Sequence, residues 1–115
     1  MRKASVPVTA LQRDYERLRQ SLAAIGYVSQ GSVVDRSRLR TPRFGYQWTR
    51  KVKGKTVTVA LSQEEYEALS QAIANQRKVT KTFRQMEKLS RRILFHNRAR
   101  GARHKPLRQR VLGLI

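Results

Sequence analysis

The side chains best suited to a chemical role in this chain are arginines and lysines, most of which stand in two runs that contain no carboxylate. Of 115 residues, 26 are Lys or Arg and seven are Asp or Glu, so the formal net charge is +19. The first run lies between Asp35 and Glu64, and the second follows Glu87. A compact chain with this charge repels itself and favours a polyanionic partner. Nucleic acid fits that requirement, because each neutralised phosphate releases condensed counterions.

The first basic run is predicted to form the solvent side and the tip of a β-ribbon. Its arginines alternate, so they are expected to project from one side of a strand, while its lysines cluster at a hairpin tip. Such a ribbon can lie along phosphates or enter a major groove. A solvated strand face is the alternative, which the complete lack of carboxylates weakens. The candidate nucleic-acid-binding residues are Arg36, Arg38, Arg40, Arg43, Arg50, Lys51, Lys53 and Lys55.

The second basic run mixes arginine with small residues and is predicted to order on RNA or DNA. Arginine outnumbers lysine there, which suits planar bidentate contacts with phosphate. A solubilising tail is the alternative, but the apolar last five residues do not suit it and are expected to dock on a protein partner or on the core. The candidate nucleic-acid-binding residues are Arg91, Arg92, Arg98, Arg100, Arg103, Lys105, Arg108 and Arg110, and the docking residues are Val111, Leu112, Leu114 and Ile115.

Three aromatic residues at alternate positions, Phe44, Tyr46 and Trp48, are candidate platforms for base stacking. A two-residue turn at 53–54 predicts a hairpin over residues 43–61. In that register Tyr46 and Trp48 share an apolar face that a helix should cover, so they are predicted to be core residues. Phe44, at the start of the strand, remains the candidate for stacking. The predicted cross-strand pairs are Arg50 with Val57, Trp48 with Val59 and Tyr46 with Leu61.

Two helices flank this hairpin in the sequence. A capping box at 9–12 predicts the start of the first helix, and Gly26 is its predicted C-cap. A second capping box at 62–65 begins a helix expected to reach about residue 97. Four polar residues at 75–78 interrupt its apolar stripe, so a break near residue 76 is the alternative to the single long helix that we favour. The apolar stripe of the first helix comprises Leu11, Tyr15, Leu18, Leu22 and Ile25.

The remaining pattern completes the fold prediction. Residues 27–39 are strand-like, with an interruption at Gly31-Ser32 that favours a bulge or a short strand. The elements together predict an α+β fold with an N-terminal helix, a three-stranded antiparallel sheet containing a β-hairpin, a long C-terminal helix and a basic tail. The predicted organisation is a basic N-terminal arm at 1–9, a single α+β nucleic-acid-binding domain at 10–97, and a basic tail with an apolar end at 98–115.

Catalysis, metal binding and membrane insertion find little support in the sequence. There are no cysteines, and His96 and His104 stand eight residues apart without a neighbouring acid. The glutamates at 64–67 begin a helix, where carboxylates complement the helix dipole without any chemistry. No apolar run is long enough to span a membrane, and no signal-peptide core follows the N-terminus. We therefore predict a non-enzymatic cytoplasmic protein, associated with a nucleoid or nucleoprotein, without metal, cofactor or small-molecule substrate.

Four short motifs follow one another along the helix, sheet and helix of the predicted fold. They are Gly31-Ser32, Phe44-Gly45-Tyr46-Gln47-Trp48, Lys53-Gly54-Lys55-Thr56 and the segment from Leu61 to Tyr66. In this order they resemble a small bacterial domain family of unknown function that is often encoded beside transposases and other mobile elements. The resemblance spans roughly residues 11–95 and implies a mobile-element setting without supplying a mechanism. Members of that family often carry a cysteine cluster just before the hairpin, whereas residues 38–43 of this chain contain none, so no metal role is implied here.

The sequence thus predicts a non-catalytic nucleic-acid-binding accessory protein, with DNA favoured, of a mobile element or related nucleoprotein complex. A protein partner within that complex is also expected. Two alternatives stay open: a structural RNA-binding protein of a ribonucleoprotein, similar to ribosomal proteins, and a protein adaptor that docks through its helix stripe and apolar C-terminus.

Overall fold

The structure, a computed structural model, describes residues 7–96 and 110–111 of the chain. Its three strands form one antiparallel sheet in the order β1-β2-β3. A helix precedes the sheet and a long helix follows it, so the predicted α+β arrangement is confirmed. The elements in order are α1 (Val8–Ala23), β1 (Ser32–Asp35), a 3₁₀ turn (Arg36–Arg38), β2 (Tyr46–Val52), β3 (Lys55–Leu61) and α2 (Gln63–Leu94).

The described chain divides into two compact units that share α2. The helical unit contains residues 7–24 and 80–96, and the sheet unit contains Ile25–Val79. The division falls just after the polar residues 75–78, yet α2 continues through them as one helix of 32 residues, about 48 Å long. The prediction of a single long helix is therefore confirmed, and the alternative break near residue 76 is wrong.

The first helix is bounded differently from the prediction. Its N-cap is Pro7, and no side chain caps it, so the predicted capping box that begins at Thr9 is wrong. Proline starts a helix well because it lacks the N–H that the first turn leaves unpaired. The helix ends at Ala23, and its C-cap is Ala24, whose N–H donates to the Leu22 carbonyl, so the predicted C-cap at Gly26 is wrong.

Each unit has a small core. In the helical unit Leu11 of α1 and Thr82 and Met86 of α2 are buried, and in the sheet unit Ala72 and Ile73 of α2 are buried. The other apolar residues of the predicted helix stripes are partly exposed. With so little buried surface, local devices such as caps and turns carry a larger share of the stability.

A reciprocal capping box fixes the start of α2, as predicted. The Ser62 N–H donates to Glu65 Oε1 over 2.9 Å, and the Glu65 N–H donates to Ser62 Oγ over 3.1 Å. The hydrogen bond from the Ser62 backbone, followed by that involving its side chain, lowers the pKa of Glu65 below its ordinary value of 4.5. The ionised carboxylate is therefore the form that stabilises this helix end.

We expect the stabilising effect of Glu65 to depend on pH in a defined direction. Because its folded pKa is depressed, its contribution is complete above the unfolded value of 4.5 and is lost as the pH falls through the folded pKa. Urea unfolding should show Glu65→Gln less stable than wild type near neutral pH and equal to it in acid. Glu64→Gln is the control, since it removes a charge from the same turn without entering the box. If both variants behave alike, the helix dipole explains the effect and the box does not.

The hairpin forms as predicted. Lys53 and Gly54 both have positive φ, 50° and 80°, as the central residues of a type I′ turn require. The register pairs Tyr46 with Leu61 and continues to Val52 with Lys55. The predicted cross-strand pairs are therefore confirmed.

Coverage of the hairpin's apolar face is only partly as predicted. Tyr46 stacks on Tyr66 of α2, with ring centroids 4.4 Å apart and an interplanar angle of 27°. Trp48 is half-buried, but Val57 and Val59 on β3 remain 40% and 44% exposed. The prediction that a helix covers this face is thus wrong for β3.

The path of α2 explains why β3 is left open. Farther along α2, the Ala72 carbonyl accepts a hydrogen bond from the Ser29 N–H over 3.1 Å. Asn75 Nδ2 donates to the Tyr27 carbonyl over 2.9 Å, and Gln71 holds the same amide in place. These hydrogen bonds hold the middle of α2 against the segment before β1, whereas Val57 and Val59 of β3 stay exposed.

Candidate functional site

Most of the candidate arginines of the first run lie in a loop that backbone hydrogen bonds close. The Arg36 N–H donates to the Gly45 carbonyl over 2.9 Å, and the Arg43 N–H donates to the Arg36 carbonyl over 3.0 Å. We call residues 36–45 the basic loop. The prediction that Arg36, Arg38 and Arg40 alternate along a strand is wrong, because β1 ends before them.

Asp35 is the residue that ends β1. Its Oδ1 accepts hydrogen bonds from the Ser37 hydroxyl over 2.7 Å and from the Ser37 N–H over 3.0 Å. These two bonds, the hydroxyl first, lower the pKa of Asp35. An aspartate that bonds two residues ahead turns the chain out of an extended conformation. The Asp-x-Ser spacing is the sequence signal for this turn. The alternating arginines that follow it predicted a continuing strand instead.

The arginines of the basic loop have two different roles. Arg36 is half-buried, and its Nε donates to Gln47 Oε1 over 3.3 Å, so it ties the loop to β2. Arg38, Arg40 and Arg43 are exposed. Their side chains take part in no ion pair with any residue in the part of the chain that the structure describes. These three guanidinium groups are therefore open to an external anion.

Phe44 lies in the same loop with its side chain fully exposed. Gly45, the next residue, has φ 102° and closes the loop on Arg36. Trp48 differs, because its indole N–H donates to the Gln30 carbonyl over 3.0 Å and the ring is half-buried. Of the three aromatic residues first considered, Phe44 is thus the one whose ring is accessible for stacking.

We expect Phe44→Ala to weaken binding of single-stranded DNA by about 10-fold, since stacking of one base on an aromatic ring contributes roughly 1–3 kcal/mol. Thermal stability should not change, because the ring is fully exposed. Tyr27→Ala is the matched control, as its side chain is 93% exposed but lies outside the basic loop. Fluorescence anisotropy with a labelled oligonucleotide measures the binding of the two variants. An equal loss in the two variants would contradict a stacking role for Phe44.

The second cluster of candidate residues is the hairpin tip, residues 50–55. Arg50, Lys51, Lys53 and Lys55 are all exposed there. Because β2 joins the end of the basic loop to the tip, the two clusters lie towards opposite ends of a strand about 20 Å long. The structure thus places four cations of the first run in the basic loop and four at the hairpin tip.

Among the described residues, carboxylates pair with arginines in the helical unit but not in the sheet unit. In the helical unit, arginines one turn away pair with the carboxylates, the shortest pair being Arg19 Nη2 to Glu16 Oε1 at 2.7 Å. In the sheet unit, Asp35 and Glu65 accept hydrogen bonds from serines instead. The positive field of the basic loop and the hairpin tip is therefore unopposed by any ion pair within residues 7–96. The ion pairs of the helical unit are Asp14 with Arg17, Glu16 with Arg19 and Glu87 with Arg91.

The candidate residues of the second run are described only in part. Arg91 and Arg92 lie in the last turn of α2 and are half-buried, and Arg91 is 3.8 Å from the Glu87 carboxylate. Arg110 and Val111 are helical and exposed. The other predicted residues lie outside the described part of the chain: Arg98, Arg100, Arg103, Lys105, Arg108, Leu112, Leu114 and Ile115.

Comparison with known proteins returned no match: no family model fits the sequence, and no curated protein or solved structure is significantly similar to it. The resemblance to a bacterial domain family therefore stays a prediction that rests on its short motifs. Within residues 7–96 and 110–111, acidic and histidine side chains form no group of three that is suited to a metal ion. Within the same ranges, no helix combines the length and the apolar character that crossing a membrane requires.

Proposed function

We propose that this protein is a non-catalytic nucleic-acid-binding accessory protein that holds duplex DNA by its phosphates, through the basic loop and the hairpin tip. One observation carries the proposal. Apart from Arg36, the cations of residues 36–55 are exposed, and none is paired with a carboxylate in the described chain. Exposed arginine and lysine without internal partners supply the contacts that position a protein on a phosphate backbone.

The geometry of the sheet unit suits a duplex. Two cationic clusters towards opposite ends of a strand about 20 Å long lie within roughly six phosphate spacings of one DNA strand. Beyond Thr49, where the pairing with β1 ends, the hairpin is a two-stranded ribbon, which a major groove admits. Half of the residues on its polar face are threonines, whose hydroxyls do not favour one base over another, and Gln47 already accepts a hydrogen bond from Arg36. With few groups that distinguish one base from another, we infer that sequence specificity is low and that binding depends mainly on phosphates.

A second candidate function is a structural RNA-binding protein of a ribonucleoprotein. The observation that favours it is the fully exposed ring of Phe44 among arginines of the basic loop. An aromatic ring beside guanidinium groups is a common arrangement for unpaired bases in RNA. The adaptor hypothesis relies on the apolar C-terminus, of which only Val111 is described. A mobile-element setting follows from the motif resemblance alone.

A competition experiment tests the proposal and separates it from the RNA candidate. A labelled duplex is challenged with structured RNA, single-stranded DNA and heparin at about 0.15 M salt. If up to seven cations contact phosphates, the logarithm of the duplex affinity should fall with the logarithm of salt concentration with a slope near −6. Duplex binding that resists RNA supports the DNA function, and displacement by RNA supports the second candidate. Equal displacement by every polyanion, heparin included, would contradict both.

A further inference from the structure

The outer edge of β3 is an unprotected sheet edge. In the order β1-β2-β3 this strand is paired on one side only, and residues 55–60 are all exposed. Natural sheet edges are usually protected by charges, prolines, bulges or short length. The other edge strand, β1, has four residues and ends on Asp35. In contrast β3 has seven residues, no proline, and Lys55 at one end as its single charge.

The type I′ turn determines which backbone groups of β3 face outward. A two-residue hairpin loop is closed by a hydrogen-bonded pair, here Val52 and Lys55. Since hydrogen-bonded and non-hydrogen-bonded pairs alternate in an antiparallel ladder, the N–H and C=O groups of every second residue point away from β2. These residues are Thr56, Thr58 and Ala60. Three donors and three acceptors are therefore free to pair with another strand.

We infer that a second copy of this chain occupies the edge, with its β3 antiparallel to the first about a two-fold axis at Thr58. This register is self-complementary, because Thr58 lies opposite its own equivalent and Thr56 lies opposite Ala60. The outward-facing groups then meet as hydrogen-bonded pairs and form six hydrogen bonds. Val57 of each copy lies opposite Val59 of the other, on the same face of the sheet. Cross-strand pairs of β-branched residues are favourable, and this pairing brings the two exposed valines into contact.

Charge on the strand favours a second copy over an acidic partner strand. Residues 56–60 contain no charge, so an acidic segment would find no complementary cation along the centre of β3. In the symmetric register each Lys55 lies opposite Leu61, at the far end from the other lysine. The net charge of +19 opposes association, but salt screens it, with a Debye length of about 8 Å at 0.15 M and roughly 4 Å at 0.5 M. The dimer should therefore strengthen with added salt, whereas phosphate binding weakens.

Single cysteines test the register directly, because the natural chain contains none. In the symmetric pair the two Thr58 Cα atoms would be about 5.5 Å apart, within disulfide reach. The two Thr56 positions would be about 14 Å apart, which is too far for a disulfide. With a mild oxidant, T58C should form a covalent dimer and T56C should not, although a mixture of T56C with A60C should cross-link. Equal cross-linking of T58C and T56C would overturn the proposal.

Sedimentation of the full chain gives a second, non-covalent measure. Wild type should approach twice the monomer mass as its concentration rises at about 0.5 M salt, since mass action favours the dimer. T58K, which sets two lysines opposite each other, should remain monomeric. S32K is the matched control, because Ser32 lies in the same cross-strand row as Thr58 but on the other edge strand. A monomeric wild type, or T58K that dimerises like S32K, would refute the inference. Nucleic acid is absent from both experiments, so their outcome is independent of the proposed function.

Discussion

Replacing Arg38, Arg40 and Arg43 together by alanine is expected to weaken duplex DNA binding about 100-fold at 0.15 M salt. Each phosphate contact adds about 0.9 to the magnitude of the slope of log affinity against log salt concentration. Between 1 M and 0.15 M salt, one contact therefore changes the affinity roughly fivefold. Three lost contacts multiply to about 100-fold and should reduce the magnitude of the slope by about 2.7. Fluorescence anisotropy over a salt series measures both quantities on the same samples.

The fold should tolerate this triple substitution, because all three side chains are exposed and form no ion pair in the described chain. Its control removes the same charge from the helical unit by replacing Arg13, Lys81 and Arg84, which are also exposed. The control should lose less than about fivefold in affinity, through the weaker long-range field alone. If both triple variants lose affinity equally, net charge rather than the basic loop determines binding.

The elements that the sequence predicted correctly are those in which neighbouring residues decide the structure. Lys53 and Gly54 form the turn that sets the register of β2 and β3, because a two-residue loop leaves the strands one way to pair. The capping box at 62–65 likewise closes within one turn. In each case the whole signal lies within a few residues.

Two features that the sequence did not predict depend on contacts between distant residues. The basic loop exists because the Arg36 N–H reaches the Gly45 carbonyl, nine residues away, after Ser37 has ended the strand at Asp35. Arginines at alternate positions are also typical of an exposed strand, so the sequence pattern does not indicate that the loop closes. The exposure of β3 similarly depends on the docking of α2 at residues 27–29, which no pattern within β3 reveals. The sequence thus predicted the cluster of lysines at the hairpin tip, but not the closed loop that holds Arg36, Arg38, Arg40 and Arg43.

Gly31→Ala is expected to destabilise the sheet unit more than any other glycine substitution in its vicinity. Gly31 has φ 109°, which side chains rarely adopt, and an added Cβ would lie 2.8 Å from the Thr49 carbonyl oxygen and collide with the Trp48 indole. The backbone conformation costs about 1–3 kcal/mol and the overpacking a further 1–3 kcal/mol. Displacing the indole also removes its hydrogen bond to the Gln30 carbonyl. A total near 4 kcal/mol is a large part of the roughly 5–15 kcal/mol typical of a folded domain.

Two other glycines separate the effect of backbone conformation from that of close packing. Gly54 has φ 80° but nothing within 4 Å of an added Cβ. Gly54→Ala should therefore lower the free energy of unfolding by only about 1–2 kcal/mol, the effect of placing a side chain on a left-handed backbone. Gly26 has ordinary φ, and its nearest neighbour would be Asn75 Nδ2 at 3.8 Å, so Gly26→Ala should be neutral or gain a few tenths of a kcal/mol. Trp48, the one tryptophan of the chain, reports urea unfolding of all three variants by its fluorescence. A loss in Gly54→Ala as large as in Gly31→Ala would mean that φ alone, and not the contact with Trp48 and Thr49, requires glycine at position 31.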